Sequence, residues 1–350
     1  MATGSLTIDL DALARNWTEL DRASAQGVET GAVVKADGYG LGAARVARTL
    51  VKAGARRFFV AIAEEGATIR AALGRGPEIC VFSGHMPGDA DMIGDLDLVP
   101  MLNSVEQLTR HMEALPGHPF GIQLDTGMNR LGMEPAEWAA VRDIALKAGP
   151  RLIMSHLACS DEDTTGFNEK QLTCFREMTE GTGVPRSLAA TGGILLGPDY
   201  HFEVTRPGVG LYGGRPFTDP APVVALSLPV IQSREVEPGE SIGYGCTWTA
   251  EERRTVATVA AGYADGILRY LTNRGTLWFD GHPCPILGRV SMDLITADIT
   301  DLPRTPDALD LLGPDQGVDE VADAAQTIGY EVLTNLGARY ARRYTGGAGS

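Results

Sequence analysis

The sequence predicts an α/β protein: an N-terminal (β/α)8 TIM-type barrel over residues 1–220, then a mostly-β domain over residues 221–350. Three observations carry this. Short apolar runs alternate with helical patterns about eight times through the first two thirds of the chain, which favours a closed parallel barrel over an open doubly wound sheet. A proline-rich junction then interrupts the pattern, at Arg215-Pro216 and Thr218-Asp219-Pro220-Ala221-Pro222. Beyond it, alternating apolar runs are punctuated by Gly, Pro and Asp, with little helical periodicity before Asp319–Thr327. A length of 350 residues suits two domains.

The barrel strands are expected at Ala32–Lys35, Arg57–Ala61, Glu78–Phe82, Leu98–Met101, Phe120–Asp125, Arg151–His156, Ser187–Ala190 and Gly208–Tyr212. Between them lie helices with legible starts. Asp9 is placed to cap a helix with Leu10, Leu13, Ala14 and Trp17 on one face. Asn103-Ser104 caps a helix running to Leu115, and Glu134-Pro135 opens one running to Lys147. Thr164 or Thr165 begins another that ends near Gly181. In the second domain the strand runs are Val223–Val230, Arg254–Ala261, Thr276–Phe279 and Leu294–Ile299. A Gly/Ser tail, 346–350, closes the chain.

Composition narrows the function. The formal net charge is −15, which argues against nucleic acid or an anionic membrane as a partner while leaving room for a local cationic pocket. The five cysteines, Cys80, Cys159, Cys174, Cys246 and Cys284, are scattered, with neither a CxxC pair nor metal-ligand spacing. They read as free thiols of a reducing compartment, and no metal site is expected. No basic leader precedes an apolar run and no segment is long enough to cross a membrane, so a cytoplasmic location is expected.

In a βα barrel the active residues sit at the C-terminal ends of the strands. Lys35 ends the first predicted strand, and a glycine-rich turn with one tyrosine, Asp37-Gly38-Tyr39-Gly40-Leu41-Gly42, follows at once. Partial desolvation there lowers the pKa of an amine and makes it a nucleophile toward an aldehyde. Arg130 follows the fifth strand, His156 ends the sixth, Thr191-Gly192-Gly193 follows the seventh and Arg206 precedes the eighth. One lysine, two arginines and a histidine at one barrel mouth suit a phosphorylated cofactor and a carboxylate substrate. Backbone N–H groups near Thr191 and at Gly208-Val209 are placed to cradle a phosphate. Taken singly, each residue has a plainer reading: surface ion pairs for the arginines, a satisfied interior histidine, a helix cap at Thr191, a lysine snorkelling to solvent. In the second domain, Tyr244 stands between glycines in Ser241–Trp248, and Gly262-Tyr263-Ala264-Asp265-Gly266 and Gly288–Asp293 are further polar turns.

Six segments decide among these readings. AVVKADGYGLG, DTGMNRLG, RPGVGLYG, GYGCTW, GYADG and GRVSMD closely resemble, in order and spacing, the motifs of alanine racemases, and the match covers almost the whole chain. The resemblance implies a pyridoxal 5′-phosphate (PLP)-dependent amino-acid racemase. It would interconvert L- and D-alanine through an external aldimine by a two-base mechanism and supply D-alanine for peptidoglycan. It also implies a head-to-tail homodimer whose active sites are each completed by the partner's C-terminal domain.

By matching motif, Lys35 resembles the Schiff-base lysine and one catalytic base, and Tyr244, from the other subunit, the opposing base. Arg206 matches the arginine at the pyridine nitrogen, and Arg130 the one near the phenolic oxygen and the substrate carboxylate. His156 resembles the histidine linking the tyrosine to the ring-nitrogen arginine. Tyr39, Thr191, Gly208 and Val209 match phosphate contacts. Met292 matches the residue whose backbone N–H receives the substrate carboxylate, and Tyr263 and Asp293 resemble residues lining the entry channel.

The chain departs from the family pattern at Gln123, where many members carry a carbamylated lysine that steadies the arginine. It departs again at Ala190 and Ala338, where an asparagine and a phosphate-contacting tyrosine are usual. The alternatives are a PLP barrel decarboxylase, against which Tyr244 and Arg206 stand, and a non-catalytic PLP-binding barrel, which usually lacks a second domain.

Overall fold

The computed structural model describes residues 4–162 and 165–347 and separates into two compact units. One comprises Leu13–Leu211 with Arg215–Asp219; the other comprises the N-terminal segment through Ala12, Tyr212–Gly214 and the chain from Pro220 onward.

The first unit is built on parallel strands. Seven, in the order Ala32–Val33, Arg57–Val60, Glu78–Val81, Val99–Leu102, Gly121–Gln123, Ile153–Met154 and Arg186–Ser187, pair each with the next. Their side chains are almost all buried, as the unbroken apolar runs require of strands covered on both faces. An eighth strand, Val204–Thr205, closes the ring. The N–H groups of Glu29, Gly31 and Val33 donate to the carbonyls of Glu203, Thr205 and Pro207, while Glu203 and Arg206 donate back to Arg186 and Ala189. The result is a (β/α)8 barrel.

This closure corrects one expectation. Gly208–Tyr212 is not the eighth strand; Val209–Tyr212 is a 3-10 turn, and Arg206 follows the last strand rather than preceding it. Pro207 has no N–H to continue a ladder, and Leu211 bonds back to the Gly208 carbonyl instead.

The helices begin where their caps place them. Asp9 Oδ1 accepts the N–H groups of Asp11 and Ala12 at the start of Leu10–Ala23. Ser104 caps Val105–Ala114, and Glu134 with Glu137 forms a capping box before Pro135–Ala148. The helix expected from Thr164 or Thr165 is Phe167–Thr179, entered through Gly166; Thr164 lies outside the described residues.

The second unit is an eight-stranded sheet. Its long strand Val224–Val236 pairs antiparallel with Ala308–Leu312 along one part and with Arg254–Val259 along another. The N-terminal strand Ser5–Asp9 lies between Val224–Val236 and Ala341–Thr345. Ser5–Asp9 therefore belongs to this sheet, although its sequence precedes the barrel. Ser5–Asp9 alternates half-buried and buried side chains, as a strand with one covered face does, with Leu6 and Ile8 facing in. The segment Asp319–Thr327 contributes the short helix Val318–Ala324. The end of the Gly/Ser tail, 348–350, is outside the described residues.

Candidate active site

Lys35 stands at the C-terminal end of the first barrel strand, half-buried, at the start of an unusual turn. Ala36, Asp37, Gly38 and Tyr39 all take positive φ, between 51° and 64°, and Gly40 follows at 80°. This is one turn of left-handed helix, costing roughly 1–2 kcal/mol per non-glycine residue. Such strain marks functional sites. It is held by bonds from Gly40 N–H to Ala36 O at 2.7 Å, from Gly42 N–H to Asp37 O at 2.8 Å, and from Ala43 N–H to Asp37 Oδ1 at 2.8 Å. Burial lowers the pKa of the Lys35 amine, and the positive charge of Arg130 lowers it further, against an opposing pull from Glu65.

Arg206 is 2% exposed. Its Nη1 donates to Ser187 Oγ and its Nη2 to the Ser155 carbonyl at 2.7 Å. Among the described residues its Nε has no hydrogen-bond partner. Burial lowers its pKa to about 10, so it keeps its charge near neutral pH. His156 is driven the other way from charge. Burial first, then the positive fields of Arg206, Arg130 and Lys35, lower its pKa to about 3. The imidazole is neutral at pH 7 and surrounded by three cations. Arg130 sits exposed on the loop after the fifth strand. Asp125 Oδ1 shapes that loop by accepting the N–H groups of Gly127 and Asn129. Among the described residues Arg130 makes no ion pair, and the nearby Gln123 is buried and uncharged.

A second cluster flanks the first. Thr191 opens the helix Thr191–Leu196, and its Oγ1 accepts the N–H groups of Gly208 at 3.1 Å and Gly210 at 3.3 Å. With both acceptor positions filled, only its O–H remains to give, so Thr191 is set to donate to an anion. The Tyr39 hydroxyl lies 2.5 Å from where a Cβ on Gly208 would stand, so only glycine leaves room for the two to meet. Val209 is buried and opens the adjoining turn.

In the second unit, Tyr244 is 72% exposed on a 3-10 turn. Gly243 and Gly245 hold that turn at φ of 73° and 72°, and the backbone of Gly288-Arg289 lies alongside. Tyr263, Met292 and Asp293 come together: Tyr263 N–H donates to Ser291 O and Ala264 N–H to Met292 O, each at 3.0 Å. Gly262 has no space for a side chain against the carbonyls of Ser291 and Met292. Arg339 binds both Asp265 and Asp293, and Ala338 beside it is exposed.

The sequence reading missed the residues that hold the others in place. Ser155 and Ser187 carry Arg206. Gln171 donates to the His156 carbonyl at 2.9 Å while accepting the Ala158 N–H at 2.8 Å. Glu65 bonds the Lys35 turn. None bears a motif; each is an ordinary polar residue whose role depends on a distant partner.

The fold and this rim of cations define a barrel enzyme with a built anion pocket at the strand ends. The comparisons make the class particular. The family description "Alanine racemase, N-terminal domain" matches residues 8–216, and "Alanine racemase, C-terminal domain" matches residues 223–344. An alanine racemase of Cereibacter sphaeroides is 67% identical over 344 residues, covering 98% of this chain and 99% of the relative. One from Rhodospirillum rubrum is 44% identical, covering 99% and 96%. Among solved structures, alanine racemase from Bartonella henselae with covalently bound pyridoxal phosphate is 37% identical, with a TM-score of 0.92, covering 99% of this chain and 100% of that one. The chain belongs to the alanine racemase family.

Proposed function

We propose that this protein interconverts L- and D-alanine with PLP held by Lys35, using Lys35 and Tyr244 as the two bases. The single observation that carries this is the convergence of Lys35, Arg130, Arg206 and a neutral His156 on one strand-end pocket beside the Thr191–Gly208 anion cradle.

The residues present fit the cofactor. Arg206 is locked by its two Nη groups, with Nε left as a donor for a ring nitrogen. Tyr39, Thr191 and the Gly208-Val209 backbone suit a phosphate, and the bare Gly208 leaves the space. PLP bound there supplies the electron sink that stabilises the charge left when the α-proton departs. Lys35 Nζ, its pKa lowered by burial and Arg130, moves a proton on one face of the substrate. Tyr244 Oη moves one on the other. Racemisation requires both, because the proton leaves one face and returns to the opposite one. Arg206 stays protonated and donates without giving up its proton; facing a pyridine nitrogen it would disfavour protonation there and so temper the electron withdrawal that the cofactor would supply. Arg130 pairs with the substrate carboxylate. Met292 N–H is the second carboxylate contact, and Tyr263 and Asp293 line the approach.

Each unit alone carries one base. Both bases lie in the same chain, in different units; the resemblance to alanine racemases supports a homodimer in which the exposed Tyr244 of one protomer serves the Lys35 of the other, making D-alanine for peptidoglycan. An absorbance spectrum of the purified protein tests the cofactor: a visible band present in the wild type and lost in Lys35→Ala, with D-alanine formed from L-alanine. PLP binding without alanine turnover points to another amino acid, and no band after added PLP overturns the reading. Co-expression of Lys35→Ala with Tyr244→Phe tests the sharing. Mixed dimers contain one intact site, so activity returns; two inactive variants that stay inactive together exclude a shared site.

A further inference from the structure

Glu65 lies on the first turn of the helix Ala63–Leu73, between the second and third barrel strands in sequence. Its two carboxylate oxygens are both committed to backbone. Oε1 accepts the N–H of Ala36, the residue after Lys35, at 2.7 Å. Oε2 accepts the N–H of Ala61, just past the strand Arg57–Val60, also at 2.7 Å. One carboxylate thus ties the C-terminal end of the first strand to that of the second.

What it ties is the strained segment. Ala36 is the first residue of the left-handed turn, and its N–H makes none of the bonds that close the turn internally. Without Glu65 this donor would depend on water or stay unpaired beside a half-buried lysine. Charge-assisted bonds of this length are among the stronger ones a backbone amide makes, and they offset a conformation that the residues themselves disfavour.

We propose that Glu65 is a positioning residue for Lys35: by clamping the Ala36 and Ala61 N–H groups it fixes the left-handed turn that aims the lysine amine into the pocket. The proposal rests on the reading of Lys35 as the cofactor lysine. Glu65 acts through Lys35 rather than on the substrate. Its charge has a second effect. The groups acting on the Lys35 amine are Arg130 and Glu65, with the neutral His156 and the Phe82 ring nearby, the latter 5.9 Å from Nζ to centroid. Glu65 is the negative one and favours the protonated amine against burial and Arg130.

The test compares Glu65→Gln with Glu65→Asp in the full-length protein. Gln keeps the size but removes the charge and turns one acceptor into a donor facing an N–H; Asp keeps the charge and shortens the reach. Lys35 reactivity is read in cofactor-free protein by reductive methylation across pH, with peptide mass analysis. In Glu65→Gln the midpoint for Lys35 is expected to fall by about half to one pH unit, and kcat of the PLP-loaded protein to fall at least roughly tenfold, one decade being about 1.4 kcal/mol of barrel-site barrier. Glu65→Asp is expected to keep the midpoint within a few tenths of a unit but lose part of kcat. A lowered melting temperature with an unchanged Lys35 midpoint and kcat would show a merely structural role and overturn the proposal. If Glu65→Gln does not fold, an unchanged kcat in Glu65→Asp overturns it equally. Failure of the underlying reading is separate: it appears as a PLP band that survives Lys35→Ala.

Discussion

Arg339 grips Asp265 with two parallel bonds, Nε to Oδ1 and Nη2 to Oδ2, each 2.6 Å long, and extends Nη1 to Asp293 Oδ1 at 2.7 Å. Asp265 is 4% exposed and also accepts the Gly262 N–H at 2.9 Å. Gly337 N–H returns to the Asp265 carbonyl. Three loops of the second unit, around Tyr263, Met292 and Arg339, are therefore one rigid piece organised by a bidentate pair.

Arg339→Met leaves a buried carboxylate with only its backbone donor and frees Asp293. The expected result is a lower melting temperature and a kcat/KM that falls mainly through KM, because the loops carrying Tyr263 and Met292 lose their alignment. Arg339→Lys supplies charge without the fork and is expected to recover only part of the loss. Steady-state kinetics with L-alanine on both variants checks the order; a lysine variant equal to wild type would deny the bidentate geometry its role.

Gly208→Ala places a methyl 2.5 Å from the Tyr39 hydroxyl. Tyr39 is buried at the end of the left-handed turn and has little freedom to yield. A stability loss of about 1–3 kcal/mol, typical of overpacking, is expected, together with weaker PLP retention. Urea denaturation gives the first and PLP titration the second. PLP affinity equal to wild type would remove Gly208 from the phosphate cradle.

Arg206→Glu puts a proton acceptor at the position assigned to the ring nitrogen. Racemisation is expected to slow while the share of abortive transamination rises, read as pyruvate formed per D-alanine. An unchanged partition would contradict the role assigned to Arg206. The same variant also loses the bonds to Ser187 and the Ser155 carbonyl, so its melting curve belongs beside the partition ratio.

His156 makes stability depend on pH. Its pKa falls from 6.5 to about 3 on folding, so below pH 6.5 the unfolded chain binds a proton that the folded protein refuses. Stability from this group is complete above pH 6.5 and declines by up to about 1.4 kcal/mol per pH unit toward pH 3. His111, lowered to about 4 chiefly by burial, adds a similar slope. The difference between wild type and His156→Gln isolates the first: the variant's urea midpoint should change less between pH 6.5 and 5. Parallel curves would mean that His156 already takes up its proton in the folded state.

Much of this site was legible in the sequence, for a physical reason. Lys35, Arg130 and His156 follow buried strands, and apolar runs flanked by polar residues advertise strand ends; Arg206, expected before a strand, instead follows one. Thr276–Phe279 begins and ends where its alternation does. The eighth barrel strand was not legible. Val204–Thr205 is two residues long and held by its neighbours' backbones, while the more apolar Val209–Tyr212 is a turn governed by Pro207 and glycine. Nor was Ser5–Asp9 assignable to a sheet, because its partners lie beyond residue 220. The braces were least visible: Arg339 and Asp265 are 74 positions apart, and nothing local to either signals the other.

The placement of Ser5–Asp9 sets an order on biosynthesis. Translation delivers this strand before the barrel, yet its neighbours on either side, Val224–Val236 and Ala341–Thr345, are made after it. The barrel residues 13–211 are complete on the ribosome while the first strand still waits, an exposed edge with no mate. Pairing of such high contact order is slow, so the sheet that joins this strand to its neighbours closes after the barrel between them has been made.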